Sequence, residues 1–174
     1  NTALGYAAGK DITTGDNNTL LGYNAGTASS PSGAVTTGNN IICLGDNTSG
    51  IALYCLDSSI ATSDARDKID ITNFTPGLTW VNQLRPVTYR WDMRSWYDNN
   101  TPDGTKKEEK LHIGFLAQEV LAIEQADGFA GTKKDMLTVN LNEDDTAYGV
   151  KYERMIPILV NAIKELSADN ASLK

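Results

Sequence analysis

The spacing of apolar and polar residues divides the chain into two regions of different character. In the first region, short apolar groups return at intervals and are separated by Gly, Asn and Thr. The segment Asn1–Gly9 returns as Asn18–Gly26, and a looser copy follows at residues 40–47. A unit this short predicts one strand and one turn per repeat, with glycine and asparagine in the turns. Because each unit has too few apolar residues to bury a face alone, it must stack on the next unit, on other chains, or on both.

After the repeats, the pattern predicts a mixture of short strands and helices. Alternation in residues 86–91 predicts a strand with Val87, Tyr89 and Trp91 on one buried face. Two further strands flank the acidic segment 143–145, which is interpreted as a solvated hairpin turn. Strands are predicted at residues 51–56, 86–91, 111–115, 136–140 and 147–150, and helices at 77–84 and 117–125.

The end of the chain carries a heptad pattern. Apolar residues recur at steps of three and four, and one polar residue occupies an a position. Two interpretations stay open from this pattern: a short coiled coil, and an amphipathic helix that packs on its own domain. Ile at a with Leu at d would favour a dimer over a trimer. The heptad positions are Ile156, Leu159, Ile163, Leu166, Asn170 and Leu173.

Composition narrows the range of partners and cofactors. The chain has 174 residues and a formal net charge of −7, and it lacks the clustered Lys and Arg on which phosphate binding depends. Nucleic acids and anionic membranes are therefore excluded as main partners, and no apolar run is long enough to cross a bilayer. Cys43 and Cys55 lie in apolar runs and are interpreted as buried small hydrophobes. One histidine and no Cys-x-x-Cys motif give no metal site, and no cofactor is predicted.

Ser63 and Lys68 are the candidates for chemistry. Serine is a poor nucleophile unless a base takes its proton, and a buried lysine can act as that base. On a continuous helix the two side chains would lie on different faces, so a working pair needs Ser63 on a turn before the helix. The Lys68 side chain would then reach back to it. The same residues also allow a structural interpretation, in which Thr62, Ser63 or Asp64 caps a helix through Asp67 and Lys68.

Resemblance to known families adds to this picture. The repeats resemble the stacked β-coils of trimeric phage fibres and bacterial trimeric adhesins. The remainder, from about residue 58, resembles the C-terminal intramolecular chaperone domain of phage tail spikes, tail fibres and neck appendages. That self-cleaving domain also occurs in endosialidase tail spikes and in a membrane-bound myelin transcription factor. The motifs that carry the resemblance are SDARDK at 63–68, LRPVTYRW at 84–91, GFLAQEV at 114–120 and YERMIPILVNAIKEL at 152–166.

The resemblance implies roles for individual residues. Ser63 matches the family's nucleophile and Lys68 its general base, and the bond cut is Thr62–Ser63. Asp64 and Arg66 match residues that frame the site. Asp67 departs from the pattern of many relatives, which have an apolar or basic residue there. An additional carboxylate beside Lys68 would stabilise the charged amine and oppose its action as a base.

The expected fold class is α+β in a homotrimer. Residues 1–57 are expected to form the end of an intertwined trimeric β-helix-like arm. Residues 58–174 would form the chaperone and autoprotease domain, with a C-terminal helix or short coiled coil over 152–174. The resemblance implies a domain that trimerises, templates folding of the fibre upstream in the same chain, and then cuts itself as a single-turnover serine endopeptidase. It also implies assembly in the host cytoplasm and a place in the virion tail, with the chaperone domain released or loosely retained after cleavage.

A second hypothesis belongs to another functional class. The chain would then be a non-cleaving structural tip of the fibre, with binding to a host receptor. Trp80, Trp91, Trp96 and Tyr97 would suit a glycan-binding patch if they were exposed. Aromatic residues of this kind more often lie in a core. The first hypothesis predicts two fragments after folding, whereas the second predicts an intact chain that binds host surface molecules.

Overall fold

The computed structural model describes residues 1–47 and 61–173. The predicted strand at 51–56 lies outside the described residues, as does Cys55. The strands are β1 (Thr2–Leu4), β2 (Thr19–Leu21), β3 (Ile42–Leu44), β4 (Val87–Tyr89), β5 (His112–Gly114), β6 (Val139–Leu141) and β7 (Tyr148–Val150). The helices are α1 (Leu78–Gln83), α2 (Ala117–Ala126) and α3 (Met155–Ser172). The predicted mixed α+β class is confirmed.

Each sequence repeat contributes one strand to a parallel sheet in the order β1-β2-β3. The register pairs equivalent positions of the three copies, so that Leu4 lies beside Leu21 and Leu21 beside Leu44. Leu20 and Cys43 point inward and are buried, as predicted for Cys43. Stacking on the next unit of the same chain, one of the alternatives left open by the sequence, is therefore present.

Glycine in the Leu-Gly-Tyr element has a steric reason. Gly5 and Gly22 have φ values of 137° and 107°, a region that side chains with a Cβ rarely adopt. A Cβ on Gly5 would overlap the backbone of Gly22 in the next copy. The absent side chain therefore lets successive turns approach closely, and the Tyr6 and Tyr23 rings stack 5.3 Å apart.

Asparagine side chains join one repeat to the next. Asn1 accepts a hydrogen bond from the Asn18 amide at 2.9 Å, and Asn18 accepts one from the Ile41 amide at the same distance. Each also donates its side-chain N–H to a glycine carbonyl, Gly15 for Asn1 and Gly38 for Asn18. These two asparagines therefore satisfy backbone groups between the strands of successive copies.

A separate apolar core organises the C-terminal region around α1, α2, α3 and the β6–β7 hairpin. Trp80 of α1 is 1% exposed and packs with Phe74 and Phe129. The α3 side chain of Asn161 donates to the carbonyls of Phe74 and Pro76, at 2.8 and 3.1 Å. The buried members of this core are Trp80, Val120, Ile123, Val139, Met155 and Ile158.

The predicted strand at 86–91 is shorter than its alternation suggests. It ends at Tyr89, and its partner is antiparallel β5. Trp91 lies beyond the strand end and is 42% exposed, so its predicted place in the core is wrong. Alternation tells which side chains share a face of a sheet, so it gives no information about residues after the strand has ended.

Candidate functional site

Ser63 and Lys68 meet across a single turn. Residues Ala65–Asp67 form a 3-10 helix, and Lys68 is its extended C-terminal residue. The Lys68 Nζ donates to Ser63 Oγ at 2.6 Å and lies 3.4 Å from the Ser63 carbonyl oxygen. This is the arrangement that the five-residue spacing required, with the serine before the helix and the lysine side chain reaching back.

Asp64 shapes this turn. Its carboxylate accepts the Arg66 amide at 2.9 Å and so caps the 3-10 helix. This is the capping role that the structural interpretation allowed for Asp64, although the helix ends at Asp67 and does not include Lys68. The turn closes through the Asp67 amide, which donates to the Asp64 carbonyl at 3.2 Å. Capping and the Ser63–Lys68 contact therefore coexist, because different residues provide them.

Arg66 folds back on Asp64 in a two-point ion pair. Its Nε and Nη2 donate to the two carboxylate oxygens at 3.0 and 2.6 Å. The Arg66 side chain, followed by its backbone amide, holds the pKa of Asp64 below its usual value, and Asp64 in turn raises the pKa of Arg66. The two charges of this pair therefore compensate each other within the turn.

The whole segment 61–70 is exposed in a single chain. Two large apolar side chains, Ile69 and Ile71, follow Lys68 and face solvent. A lysine acts as a base only in its neutral form, which burial favours over the charged form. One chain alone therefore supplies the contact between the two side chains but leaves it open to water.

The other motifs converge on a second place in the fold. Arg85 pairs with Glu119, with its Nε 3.2 Å from the carboxylate. Gly114 leaves room for the Tyr152 hydroxyl, which accepts the Phe115 amide at 3.1 Å. These contacts join segments 84–91, 114–120 and 152–166 into a scaffold. Among the described residues, no recorded hydrogen bond or ion pair joins that scaffold to Ser63 or Lys68.

Helix α3 uses two different faces. Met155, Ile158 and Ala162 are buried against the rest of the domain. The predicted heptad stripe is not the buried face: Ile163 on it is 65% exposed. All six stripe positions are exposed to solvent: Ile156, Leu159, Ile163, Leu166, Asn170 and Leu173.

The four aromatic residues considered for receptor binding differ in how far they are buried. Trp80 and Tyr97 are buried, and Trp96 is half-buried with its indole N–H donating to the Asn47 carbonyl at 2.7 Å. Trp91 alone of the four is exposed, and its ring packs edge-on against Tyr89.

Two carboxylates with structural roles were missed by sequence reasoning. Glu124 is fully buried and accepts hydrogen bonds from the Thr138 amide at 3.0 Å and hydroxyl at 2.6 Å. Asp144, in the turn interpreted as solvated, accepts the Ala34 amide at 2.9 Å. A helical Glu and an acidic turn carry no sequence signal that separates these roles from ordinary surface positions.

Neither metal nor membrane features are found in the described part of the chain. Across residues 1–47 and 61–173, no group of three or more His, Cys, Asp or Glu side chains could hold a metal ion. No helix within the same ranges is both long enough and apolar enough to cross a membrane.

Comparison with known proteins gives a family match for part of the chain. Residues 63–129 match the family model described as chaperone of endosialidase. The match begins at Ser63, includes Lys68 and the 84–91 and 114–120 motifs, and covers less than half of the chain. It supports a chaperone domain of this kind in the C-terminal part. No curated protein and no solved structure matches the chain.

Proposed function

We propose that this chain is the C-terminal part of a phage tail fibre, spike or appendage that trimerises, templates folding of the fibre upstream and then cuts itself at Thr62–Ser63. The observation that carries the proposal is the 2.6 Å contact between Lys68 Nζ and Ser63 Oγ. It lies inside the segment that matches the chaperone family. A nucleophile within hydrogen-bond reach of its base is the geometric requirement for covalent catalysis by serine.

The reaction proceeds in two balanced steps. Ser63 Oγ attacks the carbonyl carbon of Thr62 while the neutral Lys68 amine takes the hydroxyl proton. The C–N bond breaks, Lys68 returns the proton to the leaving α-amine of Ser63, and an ester joins Thr62 to Ser63 Oγ. Water then hydrolyses the ester, which leaves a carboxylate on Thr62 and restores the Ser63 hydroxyl. In the alternative route, Ser63 of a neighbouring chain attacks the Thr62 carbonyl in the same way.

Assembly would supply the burial that a single chain lacks. The exposed Ile69 and Ile71 provide an apolar surface next to Lys68 that a neighbouring chain could cover. Covering this surface removes water from the amine and favours its neutral form. Cleavage is therefore coupled to assembly, because in the unassembled chain the segment that carries Lys68 stays open to water.

Exposed apolar surfaces support assembly at both ends of the chain. In the arm, Leu4, Leu21 and Leu44 form one in-register row on the outer face of the sheet. In the C-terminal region, the heptad stripe of α3 is unpartnered over its length. Large contiguous apolar surfaces of this kind are typical of protein–protein interfaces. The number of chains, three, comes from the resemblance, since the a and d residues alone favour two.

The mass of the folded protein tests self-cleavage. We expect the assembled protein to give fragments 1–62 and 63–174, with Ser63→Ala and Lys68→Ala both remaining intact. Lys68→Arg is the sharper variant, because arginine keeps a positive donor beside Ser63 but does not lose its proton at neutral pH. Lys68→Arg should therefore assemble normally and stay uncut.

Lys107→Arg is the matched control, since Lys107 is an exposed lysine elsewhere in the domain. It should cleave at the rate of the unaltered protein. An assembled protein that stays at its full mass after prolonged incubation would contradict the proposed self-cleavage, as would rapid cleavage of Lys68→Arg.

A second candidate, receptor binding by the fibre tip, rests on Trp91. Its exposed ring lies beside Tyr89 and His112, and Glu108 lies 3.4 Å from the His112 Nε2. An exposed aromatic face next to polar groups suits stacking against a sugar ring. If this candidate is right, a panel of host surface glycans gives binding that Trp91→Ala abolishes and that Lys107→Ala leaves unchanged.

A further inference from the structure

The turn between β6 and β7 touches the repeat arm, although the two segments are far apart in sequence. The Asp144 Oδ2 accepts the Ala34 amide at 2.9 Å across a separation of 110 residues. The Glu143 amide donates to the Ser32 carbonyl at 3.0 Å. The Ser32 carbonyl and the Ala34 amide, on either side of Gly33, thus supply an acceptor and a donor that both meet the turn.

We propose that this contact is a docking seam, formed by residues 32–34 and 142–146, that keeps the C-terminal domain on the arm after the chain between them is cut. The proposal rests on the proposed self-cleavage for its biological setting. The partner that fits the turn is the arm of the same protein, through its Ser32 carbonyl and Ala34 amide.

One carboxylate couples the shape of the turn to docking. Asp144 Oδ1 accepts the Thr146 hydroxyl at 2.5 Å and its amide at 3.3 Å, while Oδ2 is directed to Ala34. Asn142 Oδ1 accepts the Thr146 and Ala147 amides at 2.9 and 3.0 Å, which fixes the turn from its other side. The carboxylate is therefore held in place before it meets the arm.

The arm is shaped to receive that carboxylate. Gly33 has a φ of 70°, and a Cβ at this position would overlap the Asp144 carboxylate. The Val35 amide donates to the Gly26 carbonyl at 2.9 Å, which anchors the receiving segment to the arm on its far side. The seam thus joins a fixed turn to a segment that is itself anchored to the arm, and little conformational entropy is lost when they meet.

A second contact braces the seam. Trp96 donates its indole N–H to the Asn47 carbonyl at 2.7 Å, and Arg94 donates to the Thr146 carbonyl at 2.6 Å. The 3-10 helix Arg94–Trp96 therefore touches both the turn and the arm. If three chains assemble, three such seams act together, and retention by several linked contacts exceeds that of any one of them.

The test separates docking from self-cleavage. A recognition sequence for a site-specific protease is inserted between residues 57 and 58 of the full chain carrying Ser63→Ala, so that the cut is made after folding by the added protease. Gel filtration then reports whether the C-terminal fragment travels with the arm. We expect the two fragments to travel together, and Gly33→Ala and Asp144→Ala each to speed their separation roughly tenfold, the equivalent of about 1.4 kcal/mol.

Two control variants match these changes. Gly128→Ala carries the same backbone cost at a φ of 83° but meets no neighbouring atom. Asp145→Asn alters the adjacent carboxylate, which pairs with Lys133 and not with the arm. Both should leave separation unchanged. Gly33→Ala should also have a smaller effect in an Asp144→Ala background, because the carboxylate that its Cβ meets is gone.

Hydrogen exchange in the uncut chain gives a second measurement that needs no protease. The Ala34 and Glu143 amides should be protected, and Gly33→Ala should increase the exchange of both. The proposal is overturned if the cut fragments of the parent protein separate at once, if Gly33→Ala and Asp144→Ala behave like their controls, or if both amides exchange at the rate of free backbone.

Discussion

At the scale of single residues, Glu124 shows how a carboxylate can be an acceptor for several donors in a core. It is 0% exposed and accepts from the Leu137 and Thr138 amides and the Thr138 hydroxyl. The charge of Glu124 also acts on Lys151. Burial and then the charge of Arg154 lower the pKa of Lys151, and the charge of Glu124 opposes that change. This carboxylate therefore fixes α2 to the start of the β6–β7 hairpin.

Replacing Glu124 with Gln should destabilise the C-terminal domain strongly. The amide keeps one acceptor and turns an N–H₂ group toward donors, so at least one buried N–H loses its partner. We expect a loss of about 3 kcal/mol in the free energy of unfolding, measured by urea denaturation. Glu119→Gln is the control, since its ion pair with Arg85 is largely exposed and contributes little to stability. Equal losses for the two variants would contradict this role of Glu124.

Asp144 gives the docking seam a defined dependence on pH. Partial burial works against its charged form, but hydrogen bonds from Thr146 and from the Ala34 amide outweigh this and hold its pKa below the usual 3.8. A depressed folded-state pKa contributes stability above the unfolded value and loses it as pH falls through the folded value. Glu143 and Asp145 are the neighbouring acids, and Lys133 pairs with Asp145.

The seam should therefore hold from neutral pH down to about pH 4 and loosen only in stronger acid. Exchange of the Ala34 amide, followed as pH is lowered, measures this. In the Asp144→Asn variant, the Ala34 amide should exchange faster at neutral pH, and the acid-dependent step in its exchange should be lost. A step centred above pH 5 in the unaltered protein would show that another group controls the contact.

The sequence anticipated some of these residues and could not anticipate others. The five-residue spacing of Ser63 and Lys68 already required a serine before the turn, because a continuous helix would separate the side chains. The sequence predicts a solvated Asp144, since a Glu-Asp-Asp turn has the same composition whether or not a distant segment of the chain covers it. Trp91 was assigned to the core because alternation shows which face a residue shares but not where the strand ends.

At the scale of elements, α3 explains why its pattern left two interpretations open. Ile158 belongs to the domain core and Ala162 is buried beside it on the helix, while Ile163 and Leu166 line the exposed stripe. Apolar residues on both faces satisfy the domain and the heptad together, so packing on the domain does not compete with a coiled coil. Short elements such as α1, α2 and the hairpin were predicted within one to three residues. Their apolar spacing and flanking turns agree on the same boundaries.

Two substitutions on α3 should separate folding from assembly. Ile163→Ser changes an exposed stripe position and should abolish assembly while changing the stability of the single domain by less than about 0.5 kcal/mol. Ile158→Ala opens a cavity at a residue 1% exposed and should cost the domain about 3 kcal/mol. Sedimentation gives the molar mass, and thermal unfolding gives the stability. An unchanged molar mass for Ile163→Ser would show that the stripe is not an assembly surface.

At the scale of the whole molecule, residues 1–47 and 61–173 form two apolar cores of unequal size. In the described part of the arm, the buried cluster consists of Leu20, Ala25 and Cys43. The C-terminal core is larger, with a tryptophan and with buried residues from all three helices. A sheet of three-residue strands around so small a core is marginal by itself. The domain boundaries at 57 and 58 stay a prediction, and the trimer is a proposal. The sequence could predict the stacking of repeats, because equivalent positions recur, but not which chains stack.

Removal of the C-terminal domain should have opposite effects before and after folding. Pairing of strands between distant or separate segments is slow and prone to wrong register, and each arm unit lacks a core of its own. A folded C-terminal assembly would hold the chains together at high local concentration, and the docking seam would place residues 32–34 against a fixed turn. An arm synthesised as residues 1–62 should therefore be insoluble or monomeric. The same arm, produced by a cut after folding, should stay assembled, because its unfolding is slow.

The experiment compares two preparations of the arm, residues 1–62. One is synthesised without the C-terminal domain, and the other is obtained by cutting the full chain after it has folded. Sedimentation and circular dichroism are recorded for the truncated arm and for the arm that remains after folded protein has been cut and the C-terminal fragment has been removed from it, each at equal concentration. The uncut Ser63→Ala protein serves as the reference for a folded arm. A chaperone changes the route to the folded state and not its final contacts, so the two preparations should differ although their sequences agree. If the truncated arm assembles as readily as the full chain, the chaperone role is refuted, and self-cleavage at Thr62–Ser63 would need another purpose.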